Sequence, residues 1–162
     1  MFFENFPPTL YRTIDGDDIL VTDIIRAIRI PEAILNDSNL YEYYSMRDDE
    51  TPEIVSHKFY KSTQYHWVIM VLNQRYDMWN DYPVSDAVIQ KKCIEKYGNL
   101  NDIHHYVNSS GDWVDVFTTP RIPVTVYEYE TSLNEEKRII RVLKQEFLSE
   151  FVQTYSELIK NV

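Results

Sequence analysis

Glycine is scarce in this chain. Three glycines among 162 residues, Gly16, Gly98 and Gly111, stand where about eleven would be ordinary at roughly 7%. Loops that cradle phosphates need several closely spaced glycines, so P-loop and Rossmann fingerprints are excluded. Cysteine occurs once, at Cys93, which rules out an internal disulfide and leaves the fold to stand on packing; synthesis in a cytosol fits that usage. Long apolar runs are missing as well. The longest, Trp67 to Leu72, is six residues, against the ~18 that indicate a membrane span. The opening Met1-Phe2-Phe3-Glu4-Asn5-Phe6-Pro7-Pro8 has neither the basic flank nor the apolar stretch of a signal peptide. Positive charge is in deficit: 16 Lys and Arg against 26 Asp and Glu leave a net charge of −10. Phosphate backbones are gripped by clustered Lys and Arg, so nucleic acid is not an expected partner.

Aromatic residues are what the chain has in plenty. They reach 14%, with thirteen tyrosines. Tyrosine combines apolar area with a polar tip, a combination suited to surfaces that become buried against other proteins. A chain of this length buries roughly 70% of the surface its unfolded form exposes, so a real core is available.

The first forty residues read as an arm. Met1 to Leu10 carries Phe2, Phe3 and Phe6 around two prolines with no periodicity, and is expected to order only against a partner. Asp15-Gly16-Asp17-Asp18 reads as a solvated turn, because an EF-hand needs oxygens spread over twelve residues. Thr22 is placed to cap a short helix ending before Pro31. Tyr41 to Arg47 reads as a strand and Asp48-Asp49-Glu50 as a turn. Thr51-Pro52 supplies a cap and a first-position proline for a helix over 52–60. Lys61-Ser62-Thr63 breaks it, and a second helix with Tyr65, Val68, Ile69 and Leu72 on one stripe ends near Asn73. Ser85 caps a helix to Tyr97, closed by Gly98. Ile103–Val107 and Trp113–Phe117 make a hairpin around Asn108–Asp112. A second hairpin is expected from Val124–Glu130 and Arg138–Leu143. A C-terminal amphipathic helix follows, with Phe147, Leu148, Phe151, Val152, Tyr155, Leu158 and Ile159 on its stripe; packing on the hairpins is the favoured destination of that stripe. The fold class is α+β, in segments 1–40, 41–98 and 99–162.

Chemistry is hard to find. His104 and His105 are neighbours on a predicted strand, where successive side chains point to opposite faces, so they are not expected to share an ion. His57 and His66 fall on different helices without ligands at metal spacing. HExxH and GxSxG are absent, and a lone mid-helix Cys93 reads as a small buried hydrophobe. No catalytic residue, metal site or cofactor is expected, and the protein is read as no enzyme. Tyr76, Trp79 and Tyr82, in an aromatic loop, divide evenly between local packing and an interface. Arg138 and Arg141, basic residues in an acidic chain, are candidates for orienting against an acidic partner.

Residues 41–73 resemble a LysM module: a tyrosine-rich strand, "MRDDETPEIVSHKFY" as turn and first helix, then "STQYHWVIMVLN" as the second. Two departures stand out. Lys61 occupies a place where glycine often follows the first helix, and a loop and helix follow Asn73 where a LysM module closes with a second strand. Over nearly its full length the chain is also similar to the baseplate wedge protein family, number fifty-three, of T-even-like contractile-tailed bacteriophages, which carries a LysM-like domain. The stretches "FFENF", "VTDIIR", "YHWVIMVLNQRYDMWNDYPVS" and "YEYETSLNEEKRIIRVLKQEFLSEFV" carry that resemblance.

The resemblance implies a structural virion protein of the tail baseplate, made in the host bacterial cytoplasm and present in several copies per ring. Such a protein links neighbouring wedges, with other wedge subunits and sheath-initiator or hub proteins as partners, and with neither membrane nor nucleic acid. The partner-binding candidates are then Phe2, Phe3, Phe6, Tyr76, Trp79, Tyr82, Arg138 and Arg141. The alternative is a peptidoglycan-binding LysM module.

Overall fold

The computed structural model describes residues 6–24, 28 and 30–161. Two compact units emerge, each built from separate stretches of chain. The first takes the residues up to Tyr44, Pro52–Tyr76 and Ile140 onward; the second takes Ser45–Thr51 and Asp77–Ile139. Helices and small antiparallel sheets mix throughout, so the class is α+β.

The first unit begins with a hairpin, β1 (Pro8–Arg12) and β2 (Asp18–Thr22). Its turn is closed by Thr13 N–H to the Asp17 carbonyl (2.8 Å) and Gly16 N–H to the Thr13 carbonyl (3.0 Å), with Gly16 at φ 92°, a backbone state glycine enters without steric cost. Thr22 ends β2, and residues 25–27 and 29 of the expected helix lie outside the described residues. A single helical turn, α1 (Glu32–Leu35), precedes β3 (Tyr41–Ser45).

Helices α2 (Pro52–Tyr60) and α3 (His66–Asn73) follow with the expected bounds. Pro52 at the first position of α2 costs no hydrogen bond, since that amide has no helical partner. Between the helices, the fully buried Ser56 hydroxyl donates to the Ser62 carbonyl at 2.6 Å. Lys61 adopts φ 56°, a left-handed state that glycine enters freely and that costs an L-residue about 1–2 kcal/mol. The turn between the helices therefore carries an unfavourable residue. α3 is apolar nearly all round, with Trp67, Val68, Ile69, Val71 and Leu72 buried.

The strand that pairs with β3 is β7 (Ile139–Leu143). Met46 N–H donates to the Arg138 carbonyl (2.9 Å) and Lys144 N–H to the Leu40 carbonyl (3.0 Å), an opposed order that makes the pair antiparallel. The partner of β3 thus lies far along the chain, arriving only after residues 77–138. Asn73, the last residue of α3, binds β7 with its side chain. Its Nδ2 donates to the carbonyls of Ile69 and Arg141, and its Oδ1 accepts from Arg141 N–H, each at 2.8 Å. The buried Tyr60 hydroxyl donates to the Leu143 carbonyl at 2.9 Å, and burial pushes its phenol well above the usual range. Helix α6 (Gln145–Asn161) buries Leu148, Tyr155 and Ile159. Its Phe151 and Tyr155 rings lie 6.2 and 5.0 Å from Trp67. The stripe of α6 thus packs on α3, not on hairpins as expected.

In the second unit, α4 (Asp86–Tyr97) ends at Gly98, φ 89°. β4 (Ile103–Val107), β5 (Trp113–Val114) and β6 (Ile122–Thr125) form an antiparallel sheet in the order β5-β4-β6. The β4–β5 hairpin was expected; the second hairpin is not formed. Where Val124–Glu130 reads as a strand, β6 stops at Thr125 and α5 (Val126–Glu136) begins. The reason is a capping box. Thr125 Oγ1 accepts from Glu128 N–H (3.2 Å) and Glu128 Oε2 accepts from Thr125 N–H (2.8 Å), so two otherwise orphaned donors are satisfied by a helix start. Ile89, Cys93 and Val126 make the small core between α4 and α5. Asn134, 2% exposed, brackets Val84, accepting from its N–H (2.9 Å) and donating to its carbonyl (3.1 Å).

Candidate interaction surfaces

The β1–β2 hairpin has no core of its own. Leu10 pairs with Leu20 and Tyr11 with Ile19 across the ribbon, and because strand side chains alternate, these pairs occupy opposite faces. Both faces are therefore apolar, and both are open: Leu10 is 72% and Leu20 68% exposed, and Ile14 at the tip is fully exposed. A two-stranded ribbon is marginal in water by itself, and one that shows aliphatic residues on two sides is shaped for burial between other surfaces. Sequence reasoning missed these residues. The signal was present in two strand-like runs flanking Asp15-Gly16, but the prolines drew the reading toward an irregular arm. β1 starts at Pro8, so residues 8–10 are strand; Phe6 is buried and not offered to a partner, while Phe2 and Phe3 lie outside the described residues.

The aromatic loop divides. Tyr82 is 3% exposed and belongs to the core of the second unit, so its ring is not available to a partner. Tyr76, in the first unit, is 60% exposed, and Trp79, in the second, is 83% exposed. Trp79 is held on a stiff turn. Asp77 Oδ1 accepts from the backbone N–H of Trp79 (2.8 Å) and Asn80 (3.2 Å), Asp77 Oδ2 accepts from Asn80 Nδ2 (2.7 Å), and Asp81 accepts from Asp77 N–H (2.8 Å). The bonds from the Asn80 side chain and the Trp79 amide hold the Asp77 carboxyl below its ordinary pKa. An exposed indole on a preorganised loop suits an anchor residue, because little freedom remains to be lost on binding.

Of the two basic candidates, Arg138 is committed inside the chain. Arg138 grips Glu135 with two bonds (2.6 and 2.7 Å), reaches Asp48 (2.6 Å) and donates to the Met46 carbonyl (3.1 Å). That network fastens the 45–51 stretch to the end of α5, and leaves the guanidinium little to offer elsewhere. Arg141 is half-buried on β7, and its charge opposes the upward push that burial gives the Tyr41 phenol.

The histidine pair differs from expectation. Pairing of β4 with β6 slips between Ile103 and His105, so His104 is an extra residue in a bulge, which breaks the alternation of faces. The two rings come together, Nδ1 to Nδ1 at 2.9 Å. His104 stacks on Tyr129 of α5 and His105 on Trp113 of β5, each with centroids 3.9 Å apart. No group of three or more His, Cys, Asp or Glu able to hold a metal occurs among the described residues. Cys93 is fully buried, and burial, with the Glu130 charge, pushes its thiol upward. Among the described residues no helix is long and apolar enough to cross a membrane.

An open apolar ribbon and an exposed indole on a hydrogen-bonded turn are surfaces suited to contact with other proteins. The profile of the base plate wedge protein 53 family matches residues 1–121 of this 162-residue chain. The chain belongs to that family, and with it to the tail baseplate of a virion. Among its relatives is the baseplate wedge protein gp53 of Enterobacteria phage T4, 24% identical over 182 residues, which span 94% of this chain and 92% of the phage protein.

Proposed function

We propose that this protein links neighbouring wedges of the baseplate by surface burial and performs no catalysis. Its partners are other wedge subunits, with sheath-initiator or hub proteins in reach, and several copies act around one ring. The observation that carries this reading is the β1–β2 ribbon, apolar on both faces and open on both. A ribbon of that kind can be gripped from two sides at once, as a link between two bodies requires. Each aliphatic or aromatic side chain fully buried there contributes about 1.5–3 kcal/mol, so several together are needed to exceed the roughly 4–15 kcal/mol that association costs in lost freedom. Trp79 and Tyr76 supply further anchors.

Replacing both Leu10 and Leu20 by Ser tests the ribbon. The free protein should keep its far-UV spectrum and melting temperature, because the residues are exposed and surface changes are usually within about ±0.5 kcal/mol. A phage deprived of its own copy and complemented with the variant should lose viable titre about a hundredfold or more. Wild-type titre from the variant would remove the ribbon from the linkage.

The sequence of elements β3–α2–α3–β7, a strand, two helices and a pairing strand, favours a second reading, a LysM-type module that binds peptidoglycan. Calorimetry with a chitin oligomer separates the two: micromolar binding supports the glycan reading, and absence of heat leaves the linking role alone.

A further inference from the structure

The His104–His105 pair is a proton-sensitive joint with a built geometry. An Nδ1···Nδ1 contact of 2.9 Å is a hydrogen bond only if one nitrogen carries a proton and the other a lone pair. The bond survives when both rings are neutral, and it survives one added proton, because an imidazolium can donate to a neutral imidazole. A second added proton leaves two donors facing each other with two positive charges, and the bond becomes a repulsion.

We propose that this pair is a latch in the second unit that holds β5 and α5 on β4 while it carries at most one extra proton, and that releases the Trp113 platform when a second enters. The rings tie three elements together. His104 stacks on Tyr129 of α5 and meets Tyr97 of α4 edge-on at 5.9 Å, and His105 stacks on Trp113 of β5. β5 is only two residues long, paired through Val107↔Trp113 and Tyr106↔Val114, so the indole–imidazole stack is a large part of what holds it. Trp113 is itself 64% exposed, and Phe117, four residues on, is 89% exposed. Freeing this strand therefore changes an apolar surface that a partner would read.

The surroundings offer no carboxylate in ready compensation. Tyr97 and Tyr129 meet the pair with aromatic rings. Glu130 on α5 is already engaged by Lys96 Nζ (3.0 Å) and the Tyr97 hydroxyl (2.8 Å). Glu128 is held in the capping box, Asp102 accepts from Asn99 (2.9 Å), and Asp112 accepts from Asn108 (3.1 Å). Val124 faces His105 from β6. Burial first, and the neighbouring His104 second, lower the His105 pKa. A histidine whose folded pKa is depressed stabilises the fold fully above its unfolded value of about 6.5, and that stability drains away as pH falls from there through the folded pKa.

The test is a titration of the intact protein from pH 8 to pH 4, following the imidazole Cε1–H and indole N–H resonances by NMR. The pair should titrate in two steps more than about one pH unit apart, as coupled groups do. The lower step should coincide with a shift of the Trp113 indole signal, while the Trp67 and Trp79 signals stay still. His105→Gln should collapse the split to a single step and leave Trp113 without a transition. The wild-type titration decides even if the variant folds poorly. Two independent single steps in the wild type, or a Trp113 signal that ignores the lower step, would overturn the proposal.

Discussion

Trp67→Ala should lower the stability of the first unit by roughly 3–5 kcal/mol, the usual cost of emptying a buried aromatic site. A domain holds only about 5–15 kcal/mol in total, so this single change removes a large share. With about 2–4 °C lost per kcal/mol in a chain of this size, the melting temperature should fall by about 6–20 °C. Trp67 is 8% exposed and is the surface on which the Phe151 and Tyr155 rings of α6 rest. Its loss should loosen the C-terminal helix along with α3, and near-UV circular dichroism should show that loosening. Trp79→Ala is the internal control: the same deletion at an 83% exposed position should leave the melting curve within about 0.5 kcal/mol of wild type. Equal shifts for the two variants would mean that α6 is not seated on Trp67.

The second large effect is expected at Asn73. One carboxamide serves both the N–H and the C=O of Arg141 on β7, and the Ile69 carbonyl as well. Asn73→Ala leaves these backbone groups without their partner, and a buried group left unmade costs about 1–3 kcal/mol, so a total loss of about 2–4 kcal/mol is expected in chemical denaturation. Asn73→Asp keeps the acceptor but replaces the donor with a charge facing two carbonyls, and should be no better than the alanine. An aspartate variant as stable as wild type would show that the bonds from Nδ2 contribute nothing. Asn134 plays the same part in the second unit toward Val84: each unit pins a distant backbone residue with an asparagine side chain, half-buried at Asn73 and buried at Asn134.

The local physics was legible where it acts alone. The Thr51-Pro52 start of α2, Gly98 after α4, the Asn108–Asp112 hairpin turn and the burial of Cys93 follow from composition at single positions, and the structure carries each of them. What was not legible came from competition between signals. Val124 to Glu130 alternates apolar and polar residues with strand-favouring valine and tyrosine, yet the Thr125–Glu128 box starts a helix, and capping outweighed propensity. The pairing of β3 with β7 spans almost a hundred residues, and no local pattern announces it; Asn73 hints at it only once its partner on β7 is known. The histidine contact depends on a one-residue slip in strand pairing, which side-chain alternation alone cannot anticipate. Among the candidate contact residues, the loop aromatics split by burial, Trp79 outward and Tyr82 inward, because spacing within an irregular loop carries no period.

Backbone hydrogen exchange across residues 8–22, compared between the free protein and assembled baseplates, tests the linking role most directly. An unsupported two-stranded ribbon opens easily, so its amides should exchange rapidly in the free chain while those of α3 and β7 stay protected. In the baseplate the same amides should slow by orders of magnitude, because burial of Leu10, Tyr11, Ile19 and Leu20 against neighbouring subunits removes the open state. Identical, rapid exchange of β1 and β2 in both states would contradict the account, for the ribbon would then be as free in the assembly as it is alone.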